Sequence, residues 1–138
     1  MKRTATAIWK GSGKEGKGEL TTQSTTLNHT QYSYKSRFEE GVGTNPEELV
    51  AAAHAGCFAM ALSFQLQGMG ITPDSLEVNA VVTLDPPTGS ITSSALTLKA
   101  KIPGVTDEQF KQATENAKAG CPISKLLNTK ITLDATLV

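Results

Sequence analysis

The sequence predicts an α+β fold in which about six mainly antiparallel strands surround one long buried helix. A stretch from Asn45 to Gln67 is almost entirely apolar, and no charged residue occurs between Leu49 and Pro73. Segments with period-two alternation are grouped before and after this stretch rather than alternating with helices, which favours α+β over α/β. The 138 residues suit one hydrophobic core, so we expect a single domain over residues 1–138.

The ends of the central helix are well marked. Asn45 suits the N-cap, Pro46 the first helical position, and Glu48 stands three residues after the cap, where a carboxylate can reach back to it. Gly68 and Gly70 follow the apolar run and favour a left-handed C-cap. The pattern therefore predicts a helix over 45–67.

A helix that is apolar on nearly all sides is buried in protein or spans a membrane. His54, Ser63 and two glutamines interrupt the run, and no cluster of Lys or Arg flanks it, so we favour burial in protein and expect no membrane partner. A chain of this length can hardly cover every face of a helix roughly 33 Å long. We therefore predict a homodimer.

Other elements follow from alternation and capping signals. Thr106 and Gln109 form a plausible capping box for a helix over Asp107–Lys118, and Pro122 can begin a short helix that reaches Asn128. Six strands are predicted, over Thr4–Trp9, Glu19–Ser24, Tyr32–Glu39, Leu76–Leu84, Ile91–Ile102 and Ile131–Leu137.

Composition excludes several functions. Thirteen basic residues balance thirteen acidic ones and aromatics make up 5 %, so neither a basic patch nor a stacking platform for nucleic acid is indicated. The Gly16-Lys17-Gly18 segment lacks the ending of a phosphate-binding loop, and we expect no cofactor. No early apolar stretch resembles a signal peptide, so a cytoplasmic location is expected.

The two cysteines differ in their predicted surroundings. Cys57 lies in the middle of the long helix, where the macrodipole gives no help, so activation would require an external cation such as Arg37. Its simpler interpretation is a small buried hydrophobe. Cys121 stands near the N-cap of the short helix, a position that lowers a thiol pKa, and its simpler interpretation is an ordinary loop cysteine. Local chemistry alone nominates Cys121 as the better thiolate.

His54 and Glu48 are the two titratable residues that precede Cys57 most closely on the predicted helix. His54 lies three residues before it, a spacing compatible with a shared metal, but no paired ligand motif accompanies it and we expect a satisfied core histidine and no metal. Glu48 precedes Cys57 by nine residues, about 180° around the helix. Glu48 therefore either caps the helix only or serves the thiol of a partner chain.

Three motifs carry a family resemblance. They are Gly43-Thr44-Asn45-Pro46-Glu47-Glu48-Leu49, then Ala52-Ala53-His54-Ala55-Gly56-Cys57, and Lys118-Ala119-Gly120-Cys121-Pro122. Together they resemble the osmotically inducible protein C (OsmC) family and its organic hydroperoxide resistance (Ohr) relatives, over nearly the whole chain. The resemblance implies a thiol peroxidase that forms an intertwined homodimer with active sites near the subunit interface.

The resemblance also implies residue roles. Cys57 would be the peroxidatic thiol and Cys121 the resolving one, which reverses the nomination from local chemistry. Arg37, in the predicted strand before the helix, would stabilise the Cys57 thiolate, and Glu48 would hold the guanidinium.

The function expected on this basis is the reduction of organic hydroperoxides, and more weakly of hydrogen peroxide, in oxidative or osmotic stress defence. A Cys57 sulfenic acid would give a Cys57–Cys121 disulfide that a dithiol, expected to be of the lipoyl type, reduces. Apolar residues near Cys57, among them Phe58, Met60 and Phe64, favour organic substrates. The alternative is a non-catalytic dimeric protein that binds an apolar ligand, and a disulfide exchanger ranks third.

Overall fold

The computed structural model describes all residues from Met1 to Val138. Contacts divide the chain into two compact units, Met1–Leu49 and Val50–Val138. The single domain stays a prediction. Six strands in two sheets and one long helix confirm the α+β class.

The first unit holds a three-stranded antiparallel sheet. It consists of β1 (Ala5–Lys10), β2 (Lys17–Thr22) and β3 (Thr30–Tyr32), in the order β1-β2-β3. Every residue of β1 is exposed, although this edge strand carries Ile8 and Trp9. The opening hairpin predicted from the glycine-rich turn is present.

The strand predicted over Tyr32–Glu39 is wrong for most of its length. After β3 the chain forms a short helix, α1 (Tyr34–Phe38). Ser33 and Ser36 form a capping box: the Ser33 hydroxyl accepts the Ser36 N–H at 3.2 Å, and the Ser36 hydroxyl accepts the Ser33 N–H at 2.9 Å. This reciprocal cap satisfies two backbone donors at the start of the helix, and it places Arg37 on a helix.

The long helix α2 runs from Pro46 to Gly68, one residue from the predicted bounds. The Asn45 Oδ1 atom accepts the Glu48 N–H at 2.8 Å, which confirms the predicted cap. By length and composition alone α2 could cross a membrane, a test that core helices of soluble proteins also pass.

The burial predicted on all sides of α2 is not found within the chain. One face, at four-residue spacing, is fully buried and carries His54, Phe58, Leu62 and Leu66. On the other side the side chains of Met60 and Phe64 remain 64 % and 63 % exposed. This exposed face is more apolar than the solvent-facing side of a surface helix in a soluble protein usually is.

The second unit contains a mixed sheet in the order β4-β5-β6. The strands β4 (Ser75–Asp85) and β5 (Ser90–Lys101) form the predicted antiparallel hairpin, whereas β5 and β6 (Lys130–Leu137) run parallel. Parallel pairing needs a crossover, which α3 (Asp107–Gly120) and α4 (Pro122–Leu126) supply. This crossover places Cys121 between its two helices.

The core of the second unit combines α2, the sheet and α3. The Thr106–Gln109 capping box that begins α3 is present, and the predicted apolar face of α3 is the buried one. The buried apolar residues are Phe58, Leu62, Leu66, Leu96, Leu98, Ala100, Ile102, Phe110, Ala113, Ala117 and Cys121. The Cys121 thiol is therefore part of the packed core.

Candidate active site

The two cysteines are neighbours although 64 residues separate them, from position 57 to position 121. Cys57 is half-buried on α2, Cys121 is fully buried between α3 and α4, and both are free thiols. The two side chains lie close enough that each shifts the pKa of the other. The second unit thus holds a dithiol.

Cys121 occupies the predicted N-cap of α4. Its Sγ atom accepts the Ser124 N–H at 3.3 Å and lies 3.2 Å from the Ser124 hydroxyl. Burial acts to raise the pKa of Cys121, but hydrogen bonds from the Ser124 side chain and backbone, and then from Cys57 and Ile123, outweigh it and lower the pKa below its ordinary value. The direction agrees with the prediction from the cap position.

Cys57 shows the opposite behaviour. Burial raises the pKa of the Cys57 thiol, a backbone hydrogen bond from Ile123 opposes this, and the nearby Cys121 adds to the rise. Within the second unit, nothing turns Cys57 into the more acidic thiol. Its place in the middle of a helix gives it no help from the macrodipole.

His54 is fully buried beside the dithiol and has both ring nitrogens engaged. Its Nδ1 atom lies 2.6 Å from the Ser94 hydroxyl and its Nε2 atom 2.8 Å from the Ser124 hydroxyl. Burial lowers the pKa of His54 below its ordinary value of 6.5. No group of three or more His, Cys, Asp or Glu side chains is placed to hold a metal ion.

In the first unit, Arg37 donates two hydrogen bonds to a single carboxylate oxygen of Glu47. The Glu47 Oε1 atom accepts from Arg37 Nε at 3.0 Å and from Nη2 at 2.8 Å, while the buried Glu47 Oε2 atom has no partner. Two charge-assisted hydrogen bonds from one guanidinium restrict its direction. Arg37 is thus oriented by its own chain.

Within the protomer the carboxylate that holds Arg37 is that of Glu47, whereas the resemblance implied Glu48. Glu48 is exposed and belongs to the N-cap of α2, where its Oε2 atom lies 3.5 Å from the Asn45 amide nitrogen. Helical phase could have revealed the difference, because Glu47 lies ten residues before Cys57 and about 80° from it around the helix, against about 180° for Glu48. A role for Glu48 at a partner's thiol stays a prediction.

Arg37 also borders an aromatic cavity of about 220 Å³ in the first unit. Trp9 and Tyr32 have ring centroids 5.4 Å apart, and Tyr34 and Phe38 have theirs 4.9 Å apart. The Arg37 guanidinium carbon lies 5.1 Å from the centroid of the Phe38 ring. The cavity combines apolar walls with one oriented cation, a feature that the sequence patterns did not reveal.

The structure thus groups the predicted site residues in two sets. The thiols of Cys57 and Cys121 lie together in the second unit, and Arg37 and Glu48 lie in the first, where Glu47 joins Arg37. A dithiol of neighbouring cysteines can cycle between two thiols and a disulfide. Fold and dithiol together define a small α+β protein equipped for thiol redox chemistry.

Comparison with known proteins places the chain in one family. The family model described as "OsmC-like protein" matches residues 39–136, so the chain belongs to the OsmC-like protein family. It is 46 % identical to Peroxiredoxin OsmC of Escherichia coli over 133 residues, which cover 95 % of this chain and 93 % of the relative. The resemblance noted in the sequence is therefore confirmed.

Solved structures share the fold. An OsmC-like protein from Vibrio cholerae superposes with a TM-score of 0.77 at 17 % identity, over 99 % of both chains. A putative organic hydroperoxide resistance protein from the same organism, with captopril bound in one of its active sites, gives a TM-score of 0.73 at 26 % identity, over 99 % of this chain and 91 % of its own. The relatives that carry the names Peroxiredoxin OsmC and organic hydroperoxide resistance protein support a peroxidase-type role.

Proposed function

We propose that this protein is a thiol-dependent peroxidase that reduces organic hydroperoxides, and hydrogen peroxide more weakly, through Cys57 and Cys121. The observation that carries the proposal is the pair of neighbouring free thiols in a chain that is 46 % identical to a peroxiredoxin. The expected setting is the cytoplasm during oxidative or osmotic stress.

The proposed reaction has three steps. The Cys57 thiolate attacks the terminal oxygen of the hydroperoxide, the O–O bond breaks, and the alkoxide takes up a proton and leaves as alcohol. Cys121 then attacks the sulfenic sulfur, so that an S–S bond forms, the S–O bond breaks and water leaves. A dithiol, of the lipoyl type in our proposal, reduces the disulfide and is itself oxidised.

Activation of Cys57 is assigned to Arg37. Burial makes Cys57 the less acidic thiol in its own unit, and a guanidinium beside it would favour the thiolate and the developing negative charge on oxygen. The two hydrogen bonds to Glu47 Oε1 use Nε and Nη2 and leave Nη1 for the substrate or the thiolate. Glu47 is therefore proposed as the residue that orients the cation.

The preference for organic substrates rests on the aromatic cavity. Its walls include Trp9, Tyr32 and Phe38 next to Arg37, a combination that suits an apolar group attached to a polar peroxide. Of the apolar residues near Cys57 that the sequence predicts to favour organic substrates, Phe58 is fully buried in the core, whereas Met60 and Phe64 are exposed.

A homodimer with shared active sites completes the proposal. The exposed apolar face of α2 around Met60 and Phe64 and the fully exposed strand β1 are surfaces that a second copy would cover. Sedimentation should show a dimer. Activity that persists in an isolated monomer would contradict shared sites.

The decisive experiment is steady-state turnover of an alkyl hydroperoxide with a lipoyl dithiol, compared with thioredoxin and glutathione. We expect Cys57→Ser to be inactive and Cys121→Ser to complete a single turnover with weak recycling. A Cys57→Ser variant that keeps turning over would overturn the mechanism. If the wild-type protein bound an apolar ligand in the aromatic cavity without consuming peroxide, the binding-protein alternative would hold.

A further inference from the structure

A buried string of hydrogen bonds leads from the sheet to the Cys121 thiol. It runs from the Ser94 hydroxyl on β5 to His54 on α2, then to the Ser124 hydroxyl on α4, and ends on Cys121 Sγ. The three distances along it are 2.6, 2.8 and 3.2 Å. Ser94, His54 and Cys121 are fully buried, and Ser124 is 9 % exposed.

The direction of this string depends on the histidine. A neutral imidazole has one N–H donor and one acceptor nitrogen, and burial favours the neutral form of His54 by lowering its pKa. If Nε2 accepts the Ser124 O–H, the Ser124 oxygen is left to accept from the Cys121 S–H. If Nε2 donates instead, the Ser124 O–H is free to donate to a Cys121 thiolate.

Each protonation state of Cys121 is therefore matched to one tautomer of His54. The thiolate state has the Ser94 O–H donating to Nδ1, the Nε2–H donating to Ser124, and the Ser124 O–H donating to sulfur. Hydrogen bonds to an ionised acceptor are the stronger ones, and a chain of them is mutually reinforcing at low dielectric.

We propose that His54 and Ser94 are positioning residues that aim the Ser124 hydroxyl at Cys121 and thereby stabilise its thiolate for the capture of the Cys57 sulfenic acid. This inference rests on the proposed peroxidase function. The thiolate forms an S–S bond with the sulfenic sulfur, and the S–O bond breaks. The departing hydroxide takes up one proton, which replaces the one that Cys121 gave up, so the products are disulfide and water.

The surroundings of Cys121 make this assignment specific. Among titratable side chains, that of Cys57 acts on Cys121 directly, and that of His54 is joined to it through the Ser124 hydroxyl. The strand β5 contributes the Ser94 hydroxyl and α4 contributes the Ser124 hydroxyl and N–H.

The test measures the Cys121 thiolate without relying on peroxidase activity. In a Cys57→Ser background, the absorbance of the thiolate near 240 nm is titrated against pH for Ser124→Ala and Ser94→Ala. We expect the Cys121 pKa to rise in both, and more for Ser124→Ala because its hydroxyl contacts the sulfur. Thr114→Val is the matched control, because it removes another buried hydroxyl, one that donates to the Phe110 carbonyl, and should leave the Cys121 pKa unchanged.

A second measurement follows one equivalent of hydroperoxide with both cysteines present. Ser124→Ala should form the sulfenic acid at the wild-type rate and close the disulfide roughly ten-fold more slowly, the effect of one lost hydrogen bond to a charged group, while Ser124→Thr should restore the rate. An unchanged Cys121 pKa in Ser94→Ala and Ser124→Ala, or an equal shift in Thr114→Val, would overturn the positioning role. A wild-type protein that forms no sulfenic acid, while the Cys121 pKa still rises in the variants, would overturn the peroxidase function instead.

Discussion

The two thiols differ in the groups that shift their pKa values. Cys121 receives its hydrogen bonds from the turn that it begins, with Ser124 and Ile123 within three residues of it. Cys57 lies in the middle of α2, where burial raises its pKa. The pKa directions would make Cys121 the more acidic thiol, yet the family resemblance gives the peroxidatic role to Cys57.

The pKa of Cys121 is lowered by residues close to it in the sequence. We propose that Cys57 instead depends on groups brought to it by folding and assembly, and that Arg37 is the group that favours its thiolate. Changing these side chains one at a time tests how the two thiols differ.

The largest effect is expected for Arg37→Gln. Loss of the guanidinium should lower kcat/KM for an alkyl hydroperoxide on the order of 100-fold, because a charge-assisted contact to a developing anion is removed. Steady-state kinetics with a lipoyl dithiol measure it, and Arg3→Gln, an exposed arginine near the amino terminus, is the control. Kinetics of Arg37→Gln that match Arg3→Gln would remove Arg37 from the site.

A smaller effect separates the two adjacent carboxylates. Glu47→Gln should lower kcat/KM roughly ten-fold by loosening Arg37, the effect of one lost hydrogen bond to a charged group. Glu48→Gln should leave activity near wild type if its carboxylate only caps α2. The same kinetic assay compares them, and the reverse order of effects would favour the earlier assignment of Glu48 to the thiol of a partner chain.

The smallest effect concerns pH and stability. Because the pKa of His54 is lowered in the folded state from 6.5, the unfolded state binds more protons below that pH, and the free energy of unfolding should fall as pH drops from 6.5 toward the folded pKa. Urea unfolding at several pH values measures the slope. An increase in stability over the same interval would contradict the lowered pKa of the buried His54.

Sequence reasoning succeeded where the signal was local. The Asn45 cap, the Thr106–Gln109 box, the buried face of α3 and the cap position of Cys121 each depend on residues a few positions apart. Sequence reasoning failed between Tyr32 and Glu39, where alternating aromatics suggested a strand but the Ser33–Ser36 box begins a helix.

Other features of the site could not be read from the sequence because they depend on tertiary contacts. The link between His54, Ser94 and Ser124 joins positions 40 and 70 residues apart, and no spacing rule predicts it. The choice of Glu47 over Glu48 for Arg37 was accessible through helical phase, yet the prominence of Glu48 in the capping pattern obscured it.

The most direct test of the central claim asks which sulfur is oxidised first. Cys121→Ser and Cys57→Ser proteins are each treated with one equivalent of alkyl hydroperoxide in the presence of dimedone, which traps sulfenic acids, and the labelled peptide is identified by mass spectrometry. The account predicts rapid labelling of Cys57 in Cys121→Ser and little labelling of Cys121 in Cys57→Ser. Equal or faster labelling of Cys121 would show that the more acidic thiol is the peroxidatic one.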